Sequence, residues 1–183
     1  MLIIGGGDTG SDCAGTAIRQ GAKSVRQIEI MPQPPEKRSD STPWPNWPWM
    51  LRMSSSHQEG CLREWNVASD RFIGENGSVS GVEVHEVKWT FSPEGKPLKP
   101  QEVPDSSRVI KANLILLAMG FTGVPKNGIV EELNLQLSPR NGILADPEKR
   151  IYAVGDCVTG ASLVVRAMAD AKKTVEKIRA GLV

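Results

Sequence analysis

The chain has little of what side-chain chemistry usually needs. Its 183 residues include two histidines, three cysteines and one tyrosine. Cys13, Cys61 and Cys157 lie far apart and form no C-x-x-C pair. That excludes a local zinc or iron–sulfur site and argues against a disulfide framework. They read as buried or incidental thiols, and a cytoplasmic setting fits. His57 falls in a loop and His85 in a strand, each without an evident base or ligand partner, so both read as structural or surface residues. No sign of charge dominates: 22 Lys and Arg stand against 21 Asp and Glu. Neither a nucleic-acid surface nor an acidic tail is expected. No apolar run approaches the roughly 18–20 residues that span a bilayer. The N-terminus lacks the basic start and long apolar core of a signal peptide. No metal site and no catalytic acid, base or nucleophile is therefore expected.

Glycine, proline and tryptophan carry the information instead. Leu2-Ile3-Ile4 is a short apolar strand that runs into Gly5-Gly6-Gly7-Asp8-Thr9-Gly10. Gly5, Gly7 and Gly10 have the G-x-G-x-x-G spacing of a dinucleotide-binding turn. The first glycine turns the chain, the second lets a pyrophosphate approach the backbone, and the third lets the next helix pack closely. Asp8 to Gln20 can form that helix, with Ala14, Ala17 and Ile18 on one face. The helix N-terminus, around Asp8 and Thr9, then faces the phosphates. A second strand, Val25 to Ile30, follows. Glu29 stands about 20 residues past the glycines, where an acid can accept from an adenosine ribose. A glycine-rich turn used only for packing, or the first loop of an S-adenosylmethionine methyltransferase, fits the turn alone. The chain opens directly on its first core strand, which suits a piece of a longer protein as well as a complete domain.

The segment 31–56 resists regular structure, because Pro32, Pro34, Pro35, Pro43, Pro45 and Pro48 fix φ and remove donors. Trp44, Trp47 and Trp49 interleave with them. The segment reads either as a rigid loop covering apolar surface or as a cover over a cofactor or partner site. Lys37 and Arg38 could reach a 2′-phosphate, but read better as exposed charges. Residues 71–110 suggest an antiparallel β-meander. It has a turn at Glu75-Asn76-Gly77, another at Pro93 to Pro97, alternation through Val82, Val84 and Val87, and a short strand at Val109-Ile110. Ala112 to Met119 reads as a strand buried on both faces of a parallel sheet, ending at Gly120 beneath a ligand. Ile129 to Leu137 suggests a short helix and turn. Arg150 to Val154 reads as a strand closing on Gly155-Asp156. A helix follows, with Ser162 near its start and Leu163 and Val164 within. There the aspartate can accept from a sugar or ribitol hydroxyl.

These motifs together resemble the small (beta) subunit of glutamate synthase and the equivalent region of long single-chain glutamate synthases. The resemblance covers nearly the whole chain. It rests on Gly5 to Cys13, Ile28 to Pro32, Pro43 to Pro48, Leu116 to Phe121, and Ala153 to Cys157 with Ser162 to Val165. The proline–tryptophan stretch is the most distinctive. The resemblance implies an α/β, Rossmann-like three-layer FAD/NAD(P)-binding fold with a parallel sheet and an antiparallel β-meander. Residues 1–120 would be the nicotinamide-dinucleotide-binding domain and 121–183 the C-terminal segment of an FAD-binding domain. Gly5, Gly7, Asp8, Thr9, Gly10, Glu29 and Gly120 would serve NADH or NADPH. Gly155, Asp156, Ser162, Leu163 and Val164 would help hold FAD. Hydride would pass from NAD(P)H to FAD. Electrons would then pass through iron–sulfur clusters to the large subunit or domain, which makes glutamate from glutamine and 2-oxoglutarate.

Departures from the family pattern matter too. The N-terminal iron–sulfur and FAD-binding region is missing from the sequence. Ile30-Met31 stands where some branches carry two arginines, and Glu29 precedes it, which favours NADH over NADPH. Arg166 replaces an aromatic residue, and Asp170-Ala171 replaces a common Glu-Gly. A non-catalytic nucleotide-binding or assembly module, or another FAD-dependent NAD(P)H oxidoreductase, is the alternative. Thioredoxin reductase fits poorly without C-x-x-C. A short-chain dehydrogenase fits poorly because Tyr152 has no lysine four residues on.

Overall fold

A computed structural model of the chain describes residues 1–46, 48–92, 95 and 97–181. Trp47, and Pro93, Glu94 and Lys96 of the expected second turn, lie outside the described residues. The chain divides into two compact units, Met1–Met119 and Gly120–Val183.

The first unit starts with β1 (Leu2–Ile4), α1 (Asp8–Arg19) and β2 (Arg26–Glu29). After the proline-rich segment come α2 (Ser55–Gln58) and β3 (Leu62–Trp65). Then β4 (Val67–Glu75), β5 (Ser78–Lys88), β6 (Gln101–Glu102) and β7 (Arg108–Lys111) lead to β8 (Ile115–Leu117). β1 pairs in parallel with β2 and β8, and β2 pairs in parallel with β3, giving the order β3-β2-β1-β8. The other strands form the antiparallel meander, with β5 between β4 and β7 and also pairing β6. Asn76 and Gly77 both have positive φ between the paired Glu75 and Ser78, as a two-residue type I′ hairpin requires.

Alternation along β1 sets the layers. Leu2 and Ile4 join Ile28 against Val67, Val82, Val84, Ile110 and Ala112 of the meander side. Ile3 points the other way, into a cluster with Ala14 and Ala17 of α1, Val25 and Ala118. The result is three layers: helix, parallel sheet and antiparallel sheet. Across the second interface, Glu64 of β3 holds Arg26 of β2 at 2.9 Å and also pairs with Arg108 of β7. The indole N–H of Trp89 donates to the Ile30 carbonyl at 2.7 Å.

Several expectations need correction. The run Ala112 to Met119 is not a strand buried on both faces. Only Ile115–Leu117 pairs, at the edge of the sheet, and Leu117 is 58% exposed. β3 was not foreseen. Its sequence, Leu-Arg-Glu-Trp, carries too little apolar residue to announce an edge strand, and the strand is recruited by β2. His85 is not without a partner, because its Nδ1 lies 2.8 Å from the Asp70 carboxylate across the β4–β5 pair.

The second unit holds α3 (Ile129–Glu132), α4 (Asp156–Thr159) and α5 (Val164–Ala180). The expected helix from Ile129 stops after one turn, where Asn134 takes positive φ. Leu137 instead forms an isolated bridge with Ile143. The expected strand Arg150 to Val154 is absent; only Ile151 bridges, to Asp146. An apolar run becomes a strand only when neighbours take its backbone groups in succession, and among the described residues only Ile151 is bridged, by Asp146. The helix after Gly155-Asp156 is broken at Gly160. Leu163 therefore caps α5 rather than lying inside it.

Candidate functional site

The glycine corner is built by close approach. Gly5 has φ +124°, and a Cβ there would lie 2.1 Å from the Ala118 carbonyl oxygen. A Cβ on Gly10 would lie 2.2 Å from the Gly5 oxygen and 2.5 Å from Gln27 Nε2. That space is used, because Gln27 Nε2–H donates to the Gly5 carbonyl at 2.8 Å. Gly7 differs from both. It caps α1, and a Cβ there would meet none of the described residues within 4 Å.

Gly7 opens onto a cavity of about 670 Å³. Gly6, Gly7, Asp8 and Ser11 form one wall. Glu29 and Met31 continue it, and Arg63 and Trp65 come from β3. The proline–tryptophan segment supplies Pro32, Pro34 and the run from Trp49 to Ser54. Trp49 therefore faces the cavity, while Trp44 is 83% exposed and not part of its lining. Glu29 is fastened to the glycine turn: its carboxylate accepts from Gly6 N–H at 2.5 Å and from Met31 N–H at 3.1 Å.

Of the expected residues in this unit, Gly7, Asp8 and Glu29 line the cavity, while Gly5 and Gly10 shape the turn beneath it. Thr9 is exposed and is not part of the lining. Lys37 and Arg38 are exposed and not part of the lining either, and Arg38 donates to the Thr42 carbonyl at 3.4 Å. The cationic groups at the cavity are Arg52 and Arg63, which sequence reading missed. Burial lowers the Arg63 pKa from its ordinary value. Arg63 lies over the Trp65 ring at 4.9 Å and donates to the Arg52 carbonyl at 3.3 Å.

His57 was also missed as a site residue. It is 9% exposed and lines the cavity. Its Nε2 lies 2.8 Å from Gln27 Oε1 and its Nδ1 lies 3.0 Å from Ser54 Oγ. Burial first, then the Arg63 charge, hold its pKa below the usual histidine value. Burial pushes the nearby Cys61 thiol up.

In the second unit, Gly155 N–H donates to the Asp170 carboxylate at 2.8 Å, and Ser162 N–H donates to Asp156 Oδ1 at 3.2 Å. Gly155, Asp156, Ser162, Leu163 and Val164 thus gather around the start of α5. Val164 is 74% exposed there. Gly120 has φ +93° with nothing within 4 Å of a built Cβ. Asp170 of α5 holds Gly155. Among the described residues, no cluster of three or more His, Cys, Asp or Glu could hold a metal ion, and no helix is long and apolar enough to cross a membrane.

Comparison with known proteins gives a consistent picture. No family model matches the chain. It is 41% identical over 177 residues to the glutamate synthase [NADPH] small chain of Mycobacterium tuberculosis, covering 94% of this chain and 35% of that protein. It is 35% identical over 192 residues to glutamate synthase [NADH] of Schizosaccharomyces pombe, covering 97% of this chain and 9% of that protein. Among solved structures, it is similar to Mycobacterium tuberculosis FprA in complex with NADPH. That match has a TM-score of 0.66 and 14% identity, covering 99% of this chain and 52% of the other. At that identity the likeness shows the fold alone. The chain spans about a third of the length of the small chains it matches. The chain is a homologue of one segment of the glutamate synthase small chain, built on the fold of the FAD- and NAD(P)-binding reductases.

Proposed function

We propose that this chain is the nicotinamide-binding part of a cytoplasmic NAD(P)H-dependent flavin oxidoreductase of the glutamate synthase type. Residues 1–120 bind the nicotinamide dinucleotide, and residues 121–183 complete an FAD site begun elsewhere in the whole protein. The observation that carries this reading is Gly7. It starts the 12-residue helix α1 and opens on the cavity, with nothing where its side chain would be. A diphosphate fits such a cradle, since the N–H groups opening α1 and the helix dipole both favour an anion. Asp8 and Thr9 belong to that opening turn. Gly5 and Gly10 hold its shape.

Glu29 supports NADH over NADPH. Its carboxylate is fixed at the cavity wall by two backbone N–H groups and keeps further lone pairs for ribose hydroxyls. A 2′-phosphate beside it would be repelled. Arg63 is already engaged by the Trp65 ring and the Arg52 carbonyl. For FAD, the donor set at the start of α5 fits electron-rich oxygens, and Asp156 is held by Ser162 N–H close to them. FAD would supply the hydride-accepting chemistry, and this chain's residues would only hold and orient the two cofactors. In the whole protein the electrons would go on through an iron–sulfur region to the large subunit or domain, for glutamate synthesis from glutamine and 2-oxoglutarate.

Titrating the chain with NADH and with NADPH tests this reading. NADH binding that is lost in Gly7→Asn supports it. No binding of either coenzyme would remove it. Because the chain spans about a third of its small-chain relatives, a second reading applies to the isolated piece: it binds nucleotide without turnover. NADH oxidation with an artificial acceptor and added FAD separates the two.

A further inference from the structure

A chain of buried and half-buried hydrogen bonds runs from the far wall of the cavity to the glycine turn, and its polarity can be assigned. Gln27, 2% exposed, donates through Nε2–H to the Gly5 carbonyl at 2.8 Å. That orients its amide, so Oε1 faces His57 Nε2 at 2.8 Å and must accept. His57 is then the Nε2–H tautomer, and its bare Nδ1 accepts from the Ser54 hydroxyl at 3.0 Å. Ser54 Oγ has spent its one proton. It accepts from His57 N–H at 3.2 Å and from the hydroxyl of Ser11, which touches it. Ser11 lies in the first turn of α1 and is 5% exposed.

We propose that His57 is a positioning residue for dinucleotide binding: through Gln27 it fixes the Gly5 peptide, and through Ser54 it ties the proline–tryptophan wall of the cavity to Ser11 of α1. This rests on the reading of the cavity as a dinucleotide site. Ser11, Ser54 and His57 all line that cavity. The chain joins its two walls, so their separation does not depend on the ligand alone.

The assignment has a consequence for protons. A second proton on His57 would sit on Nδ1 and would need Ser54 Oγ as acceptor. Ser54 already accepts from His57 N–H and from Ser11, and a hydroxyl has two lone pairs. Protonation therefore reverses the Ser11–Ser54 bond: the Ser54 proton, released from Nδ1, turns to Ser11, and the Ser11 hydroxyl must turn its own proton elsewhere, so the polarity of the chain at α1 follows the charge on His57. The charged groups lining the cavity with His57 are Arg63 of β3, Arg52 of the segment before α2, Glu29 of β2 and Asp8 of α1. Arg63 opposes the proton on His57, as burial does.

The test is NADH affinity of the full chain against pH, for wild type, His57→Gln and Ser54→Ala. Thermal melts at each pH establish that each protein is folded. Wild-type affinity should change several-fold as pH drops from about 7.5 to about 5.5, the range in which histidines titrate, because the chain reverses and His57 gains a charge at the cavity wall. His57→Gln should bind about tenfold more weakly at the higher pH, a loss of roughly 1.4 kcal/mol, and show no pH-dependent change in that window. Ser54→Ala, which breaks the chain outside the buried ring, should also weaken binding at the higher pH. Folded variants that bind as wild type does, with its pH profile, would overturn the proposal. So would pH-independent binding by the wild type. No NADH binding by the wild type at any pH would instead overturn the dinucleotide reading beneath it.

Discussion

Gln27 and Glu29, two residues apart on β2, hold opposite edges of one peptide plane. Gln27 donates to the Gly5 carbonyl and Glu29 accepts the Gly6 N–H. The backbone of the glycine turn is thus gripped by the neighbouring strand as well as by its own helix. Replacing Glu29 by Gln keeps an acceptor and removes the charge. NADH affinity should fall about tenfold, because a charge-assisted hydrogen bond is worth roughly 1.5–3 kcal/mol and a neutral one about half of that. NADPH affinity should rise relative to it. Paired titrations with the two coenzymes read both effects, and a clear wild-type preference for NADPH would show the Glu29 argument to be wrong.

The glycines should separate stability from binding. Gly10→Ala places a methyl group on the Gly5 oxygen and the Gln27 amide. Overpacking of this kind costs about 1–3 kcal/mol, so urea midpoints should drop. Gly7→Asn meets no such obstacle. Asparagine is a favoured helix cap, and stability should stay within about 0.5 kcal/mol of wild type. NADH binding should nonetheless disappear in the second variant.

Stability should carry the signature of His57. Its pKa is held low in the folded chain, so the unfolded chain binds the proton at higher pH. The neutral ring's contribution is fully present above the ordinary value of about 6.5 and is lost as pH falls toward the folded value. The melting temperature of the wild type should decline across that window more steeply than that of His57→Gln. Parallel melts in matched buffers check this.

Glu64 sits between Arg26 and Arg108, and all three are partly screened by solvent. Among the described residues Arg108 Nη1 is buried without a hydrogen-bond partner, 3.9 Å from Glu86. Glu64→Gln leaves two guanidinium groups facing a neutral amide. A loss of about 1–2 kcal/mol is expected, below that of a fully buried pair. Denaturant unfolding of the single variant and of Glu64→Gln with Arg108→Met measures it. Coupling between the two changes identifies the interaction.

Legibility followed locality. The βαβ opening, the Asn76-Gly77 hairpin and the valine alternation of β5 are specified by neighbours in sequence, and the chain shows them on inspection. Glu29 could be placed because one strand and one helix fix its distance from the glycines. β3 and the edge position of β8 could not, because both depend on which distant segment offers backbone groups. The second unit misled for the same reason: Arg150 to Val154 has a strand's composition, but among the described residues only Ile151 finds a partner, in Asp146. Gln27 and His57 are ordinary residues in sequence, 30 positions apart. Only tertiary folding turns them into neighbours beneath the glycine turn. The one hint was that a proline-rich segment with so many indoles had to rest on something.

β1 carries the glycine corner, yet it is only three residues long and leans on both sides. Leu2 pairs with Arg26 on one flank and with Ile115 on the other. The second partner arrives only after the whole meander has been threaded. Trimming this protein to its opening βαβ would therefore strip one flank of its central strand and uncover the face on which Leu2, Ile4 and Ile28 rest. The smallest portable version of the corner is set by topology, and it reaches to Met119.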